Sequence, residues 1–98
     1  MNITNIDDKI IKRSLEIGKN YKLMADEYEA EFWEDLNKLN VIHPDIKLRV
    51  TDKISEILKF IEKIERKGLT KRSTDGSVVF NTSCYNNYGK LHKVVLDD

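Results

Sequence analysis

Few residues in this chain could do chemistry, and they are scattered. Cys84 and His92 offer a thiol and an imidazole, the two groups of a nucleophile–base dyad. Such a dyad needs the two within hydrogen-bond reach, and nothing in their positions supplies that. His43 precedes Pro44 in a predicted connection, where a lone histidine reads as an exposed bystander. A zinc site needs four ligands, and Cys84, His43 and His92 have no metal-ligand spacing between them. Asp7 and Asp8 are adjacent carboxylates, and capping a helix explains them more simply than holding a metal. The four glycines stand singly at 18, 68, 76 and 89, each at a turn or cap, so no glycine-rich loop cradles a phosphate. Neither HExxH nor GxSxG occurs. No catalytic residue follows from spacing.

The charges are more informative. Lys plus Arg number 17 and Asp plus Glu number 17, yet the balance is local rather than uniform. Asp26 to Asp35 holds six acids and no base, and Lys59 to Arg72 holds six bases and two acids. Solvated helix faces are the plain reading of such runs. The sharper reading is that the basic run, with Lys63, Arg66, Lys67, Lys71 and Arg72, faces phosphate. No aromatic ladder for stacking bases is interleaved with them in the sequence.

The elements that must position these residues fit into 98 residues, enough for one small domain. A chain of this size buries about 60–65% of its unfolded surface, so its core is modest. One cysteine makes no internal disulfide. The apolar runs are too short to span a membrane, and the start MNITNIDDK lacks the apolar core of a signal peptide. A reducing, cytoplasmic setting is expected.

Met1 to Ile6 reads as a short extended piece. Asp7 or Asp8 starts a first helix with Ile10, Ile11, Leu15 and Ile17 on its apolar side, and Gly18 ends it. Asn20 is the N-cap of a second, longer helix. There Tyr21, Met24, Tyr28, Phe32, Leu36 and Leu39 form a stripe expected to be core, with Trp33 beside it. Pro44 keeps the chain from continuing that helix, and Ile46, Leu48 and Val50 alternate as in an extended strand. Thr51 or Asp52 should cap a third helix, whose core side is Ile54, Ile57, Leu58, Ile61 and Ile64. Glu62 and Arg66 form an i,i+4 pair there, and Gly68 closes it. Leu69–Arg72 and Ser77–Phe80 then read as a hairpin about Asp75-Gly76. The tail, Lys90 to Leu96, is too short to assign. The predicted fold is α+β and mostly helical: three helices, a short N-terminal strand and a C-terminal β-hairpin.

Several segments resemble a known family. Asn2-Ile3-Thr4-Asn5-Ile6-Asp7-Asp8-Lys9-Ile10-Ile11-Lys12-Arg13 resembles the N-I-T-D-I/V-D-D-K-I-I-K-R-A signature of cysteinyl-tRNA synthetases. Further along, the stretch from Phe32 to Asp45 is similar to that family's F-x-x-D-M/F-x-A-L-N-V/I-L-x-P-D, and the stretch from Val50 to Ile57 to its A-T-E-H-I-P-E-I. Residues 58–64 with Gly68 resemble I-x-F-I-x-x-L-I-x-x-G, residues 75–80 resemble D-G-S-V-Y-F, and Tyr88-Gly89-Lys90-Leu91 is similar to Y-G-K-L. The resemblance covers nearly the whole chain in order.

It implies part of a class I aminoacyl-tRNA synthetase, which activates cysteine with ATP and transfers it to tRNA(Cys). It also implies a division of the chain. Residues 1–68 would be the end of a strand of a Rossmann-type catalytic domain plus its helical segment, and residues 69–98 the hairpin that begins the connective insertion. Thr4 corresponds to the threonine that lines the family's cysteine pocket. The family's HIGH and KMSKS signatures and its zinc ligands lie outside this segment. ATP and zinc are therefore cofactors of the full enzyme and none is expected here. The start at Met1, just before the signature, suggests an internal fragment, inactive alone and prone to self-associate, with helix exchange through 21–39 and 54–64. The alternative is a stand-alone tRNA- or protein-binding helical module derived from that family, using the basic stretch and Trp33 as an interface anchor. Departures from the family pattern are Asn5 for aspartate, Lys53 and Ser55 for histidine and proline, Thr70-Lys71-Arg72 for an aromatic-containing strand, and Asn81 for aspartate.

Overall fold

A computed structural model describes residues 1–95 of the chain. The last residue of the unassigned tail, Leu96, and residues 97 and 98 of the expected second segment lie outside the described residues. The chain forms two compact units, Met1–Ser55 and Glu56 onward.

In the first unit, strand β1 (Asn2–Ile3) pairs in parallel with β2 (Leu48–Arg49), with Asn2 opposite Leu48 and Ile3 opposite Arg49. The extended pieces expected from the sequence at both places thus form one small parallel ladder. A parallel pair needs a long crossover, and here two helices supply it. Helix α1 (Asp8–Ile17) ends at Gly18, whose φ of 66° is the left-handed cap that glycine adopts at little cost. Helix α2 (Tyr21–Lys38) starts at Asn20, whose side chain accepts from the amides of Lys22 and Leu23. Such a cap contributes about 1 kcal/mol. The two helices pack on each other, joined by a short turn.

Two expectations about these helices are corrected. Asp7 occupies the N-cap of α1 with extended backbone, but its carboxylate bonds no first-turn amide; both Asp7 and Asp8 are exposed, and water can meet those donors. The α2 stripe is not a core. Met24 is buried at 3% exposure, but Tyr28 is 58%, Phe32 41% and Leu39 72% exposed. Only the α1-facing end of the stripe has something to pack against. Ser14 of α1 is the other buried residue of the described chain, its hydroxyl donating to the carbonyl of Ile11 at 2.7 Å.

After α2, Asn40 takes a left-handed φ of 57°, a conformation asparagine tolerates better than most residues. His43 is no bystander. Its ring lies 5.0 Å from the Trp33 ring, its Nε2 is 2.6 Å from Asn37 Oδ1, and its Nδ1 is 3.5 Å from Lys47 Nζ. Lysine can only donate, so Nδ1 accepts and Nε2 carries the proton given to Asn37. Lys47 also sits 3.9 Å above the Trp33 ring. Trp33 is thereby half-covered by its own chain rather than presented as an open anchor.

Thr51 and Asp52 do not cap the third helix either. They lie in a 3-10 turn (Val50–Lys53) that leads directly into α3 (Ile54–Arg66). The Thr51 hydroxyl is already engaged by Asn5. In the second unit, α3 is followed by β3 (Thr70–Arg72) and β4 (Val78–Phe80), an antiparallel pair with Lys71 opposite Val79. The Ile61 and Ile64 side chains share a recess with Thr70, Val78, Val79 and Phe80. The exposed Ile54, Ile57 and Leu58 are not core. The expected Glu62–Arg66 pair is present at 3.9 Å.

The hairpin turn is held by Asp75. Its carboxylate accepts from the Ser73 hydroxyl and, at 2.9 Å, from the Ser77 amide, while Gly76 supplies the positive φ of 87°. Those hydrogen bonds, Ser73's first, hold the Asp75 carboxyl down to about 2 from its ordinary 3.8. The ionised form therefore belongs to the formed turn. Its contribution is complete above the unfolded value and fades as pH falls from about 4 to about 2. The Ser77 amide resonance should titrate with a midpoint near pH 2, and the titration should vanish in Asp75→Asn; a midpoint at the ordinary value would show that the turn does not hold this carboxylate.

Candidate functional site

Two recesses flank the N-terminal segment of the first unit. One is an apolar groove of about 400 Å³, lined by Ile3, Thr4, Ile10, Met24, Tyr28 and Phe32, among others. The second is a polar cleft of about 330 Å³, lined by Asn5, Lys22, Asp26, Arg49, Thr51 and Asp52. Asn5 lines both. Thr4 follows β1 directly, so the parallel pairing sets where its hydroxyl stands. It is exposed, and it shares the groove wall with a second hydroxyl-bearing side chain, Tyr28.

The floor between the recesses is fixed by two polar ties. Asn5 Nδ2 donates to Thr51 Oγ1 at 2.8 Å, and the Thr51 amide donates to Asn5 Oδ1 at 3.1 Å. One side-chain amide thus satisfies two groups of a residue far away in sequence. The second tie joins Arg49 to Glu29 on α2, with Nε 2.9 and 3.0 Å from the two carboxylate oxygens. The Glu29 side chain is only 11% exposed, and the guanidinium supplies a counter-charge beside it. The hydrogen bond to Glu29, then its charge, pushes the Arg49 guanidinium further up, against desolvation and with help from Asp52 and Asp26. Arginine is charged at every ordinary pH, so this tie is permanent rather than switchable.

Neither tie is visible in the sequence. Glu29 looks like one more acid in the run from 26 to 35, and Arg49 like one base in an alternating strand. The strand alternation was the only available sign that Arg49 would project to one side.

The basic residues divide. Lys63, Arg66 and Lys67 line a recess of about 610 Å³ in the second unit, over Phe60, Phe80 and Tyr85. Lys71 and Arg72 lie on β3 and do not line it. Arg72 is 3.2 Å from Glu65. Arg66 is in the pair with Glu62, whereas Lys63 and Lys67 make no ion pair among the described residues. Cys84 is exposed in a 3-10 turn (Thr82–Cys84), and its sulfur accepts from Asn81 Nδ2 at 2.9 Å rather than facing a base. Among the described residues no group of three His, Cys, Asp or Glu side chains could hold a metal. No helix among the described residues is long and apolar enough to cross a membrane.

Comparison with known proteins gives the family of the chain. The family described as the tRNA synthetases class I (C) catalytic domain matches residues 1–98. The cysteine–tRNA ligase of Thermococcus kodakarensis is 45% identical over 98 residues, which is all of this chain and 20% of that protein. That of Methanococcus maripaludis is 44% identical over the same span and share. That of Burkholderia multivorans is 41% identical over 97 residues, 99% of this chain and 21% of its own. The chain spans about a fifth of the length of the curated relatives it matches.

The Asn5–Thr51 tie can be made by asparagine or by aspartate at position 5. A carboxylate at position 5 could still accept from the Thr51 amide, and the Thr51 hydroxyl could turn from acceptor to donor. Asn5→Asp should therefore leave stability within about 1 kcal/mol, whereas Asn5→Leu, which strands the Thr51 partners, should lower it by about 1–3 kcal/mol. Urea unfolding followed by Trp33 fluorescence measures both. Equal losses in the two variants would mean that the tie does not hold the segment.

Proposed function

Because this chain belongs to the family of class I (C) tRNA synthetase catalytic domains, we propose that it forms one part of a cysteine–tRNA ligase. Such an enzyme joins the cysteine carboxylate to the α-phosphate of ATP, releasing pyrophosphate. It then passes the cysteinyl group from the adenylate to a ribose hydroxyl of tRNA(Cys), releasing AMP. The observation that carries the reading is the groove beside Thr4. A mostly apolar recess with a few polar side chains, the Thr4 hydroxyl among them, is the kind of wall that orients a small amino acid.

In this reading Thr4 hydrogen-bonds the bound cysteine and Asn5 holds the Thr4 segment in place through Thr51. ATP and zinc belong to the full enzyme. The single glycines and the lack of a donor cluster among the described residues leave this chain without groups to hold either. Alone it is inactive. Its open apolar side, with Tyr28 and Phe32 exposed, also supports self-association of the isolated chain.

A chimera tests this. The 98 residues would replace the matching segment of the Methanococcus maripaludis ligase, and cysteine-dependent ATP–pyrophosphate exchange would be measured. The chimera should catalyse exchange, and Thr4→Val in it should raise KM for cysteine about tenfold, the equivalent of one lost hydrogen bond, with KM for ATP unchanged. The isolated chain should show neither exchange nor zinc after dialysis. An inactive but folded chimera would reject the ligase reading, and an unaltered cysteine KM would remove Thr4 from the pocket.

A further inference from the structure

Glu29 stands apart from the other acids of α2. Residues three, four and seven apart share a helix face, and Ala25, Tyr28, Glu29 and Phe32 all line the apolar groove. Glu27 and Glu34 pair with Lys19 and Lys38 at the surface. Glu29 instead has a side chain only 11% exposed, and it reaches β2, where Arg49 Nε lies 2.9 and 3.0 Å from its two oxygens. Removing a carboxylate from water is costly, and an apolar residue of similar size often serves stability as well as a sheltered ion pair. What an apolar residue does not supply is a short, directional bond to one chosen partner.

The position of that bond gives it a role. The groove has two walls, the α2 face and the N-terminal segment from Ile3 to Asn5. Arg49 is opposite Ile3 in the parallel register, and Thr4 is the next residue. The Glu29–Arg49 bond thus runs from the helix wall to the strand paired with the segment wall. A ladder of two residue pairs is too short to fix its own distance from a helix. The Asn5 clasp binds the segment to Thr51, beyond β2, and does not reach α2. We propose that Glu29 is a positioning residue for the amino-acid substrate: by holding Arg49 it sets the spacing of the two groove walls and so places the Thr4 hydroxyl. The inference rests on the reading of Thr4 as part of a cysteine pocket. Glu29 acts through Arg49 and does not pair with the substrate ammonium, because its charge is already met by the guanidinium.

The chimera with the Methanococcus maripaludis ligase provides the kinetic test. Removing Glu29 rather than Arg49 strands no sheltered charge, since the Arg49 side chain is 40% exposed and can turn to water. Glu29→Ala should raise KM for cysteine about fivefold while KM for ATP and kcat stay within about twofold, the signature of a lost positioning bond. Glu29→Gln keeps an acceptor for Arg49 Nε and should stay within about twofold of the parent. Added to Thr4→Val, Glu29→Ala should change the cysteine KM little, because the hydroxyl it places is gone; independent effects would multiply. Glu31→Ala, at an exposed acid of the same helix, should change nothing. The 98-residue chain gives a readout that needs no activity. The Leu48 amide bonds the Met1 carbonyl and the Asn81 amide the Leu69 carbonyl, so their hydrogen exchange reports the two units separately. Glu29→Ala should speed exchange at Leu48 about tenfold and leave Asn81 unchanged. An unaltered cysteine KM overturns the proposal, as does an equal rise in KM for ATP, or the same rise with and without the Thr4 hydroxyl. Unaltered exchange at Leu48 also overturns it, and so does equal acceleration at both amides, which would be a general loosening. An inactive but folded chimera rejects the ligase reading and leaves the Glu29 bond to stand or fall on Leu48 exchange. An active chimera indifferent to Glu29 rejects the positioning role alone.

Discussion

The first unit depends on a closure between residues far apart in the chain. β1 and β2 share only two residue pairs, and a parallel ladder that short holds nothing by itself. Three additions make it persist. The Leu48 amide donates to the Met1 carbonyl at 2.9 Å, extending the ladder by one bond. The Asn5 amide then clasps Thr51 beyond the other end. Arg49, on β2 itself, is tied sideways to Glu29 of α2. Strand, turn and helix are thus bound at one point, and Thr4 lies between the ladder and the clasp. A free N-terminal segment would leave its backbone groups to water and its hydroxyl unplaced.

This closure uses polar groups because little apolar burial is available. Among the described residues only Met24 and Ser14 are buried, and Ser14 satisfies its hydroxyl on its own helix. A residue such as Phe32 is built like a core residue, at helical spacing with Met24 and Tyr28, yet stands 41% exposed. The α2 stripe is longer than the surface α1 offers it. Apolar side chains on a groove wall are then left over, and a surface of that kind is stable when something covers it. A chain spanning about a fifth of its relatives' length is consistent with covering surfaces contributed by the rest of such a protein.

What could be read from the sequence is what is decided locally. Gly18, Asn20 and Gly76 act on backbone groups within a few residues, so their types sufficed to place a stop, a start and a turn. The extended pieces at both ends of the parallel ladder were legible, but their pairing was not. Thr51 shows why. Its type and position before an apolar-periodic segment are those of a cap, but a side chain bonds whatever reaches it first, and Asn5 reaches it across the fold. His43 fails in the same way: Lys47 and Trp33 turn it from a loop residue into part of a stacked cluster. The candidate residue Thr4 was carried by resemblance, and no property of the N-I-T segment alone would have shown the groove beside it.

The charge balance has the same structure as the packing. Seventeen bases and seventeen acids would cancel if spread evenly, but the ties consume them unequally. Glu29 is neutralised within the acidic run by Arg49, and Glu62 and Glu65 engage Arg66 and Arg72 within the basic one. The arginines thus serve largely to hold carboxylates, where their planar forks have an advantage. Lys63 of α3 and Lys67 just beyond its end make no ion pair among the described residues and share a recess with aromatic rings. Geometry rather than net charge therefore decides which bases are left without an acidic partner among the described residues. A count of bases from 59 to 72 marks the stretch, but the structure divides it: Lys63 and Lys67 line a recess with Phe60, and Lys71 and Arg72 lie on β3 outside it.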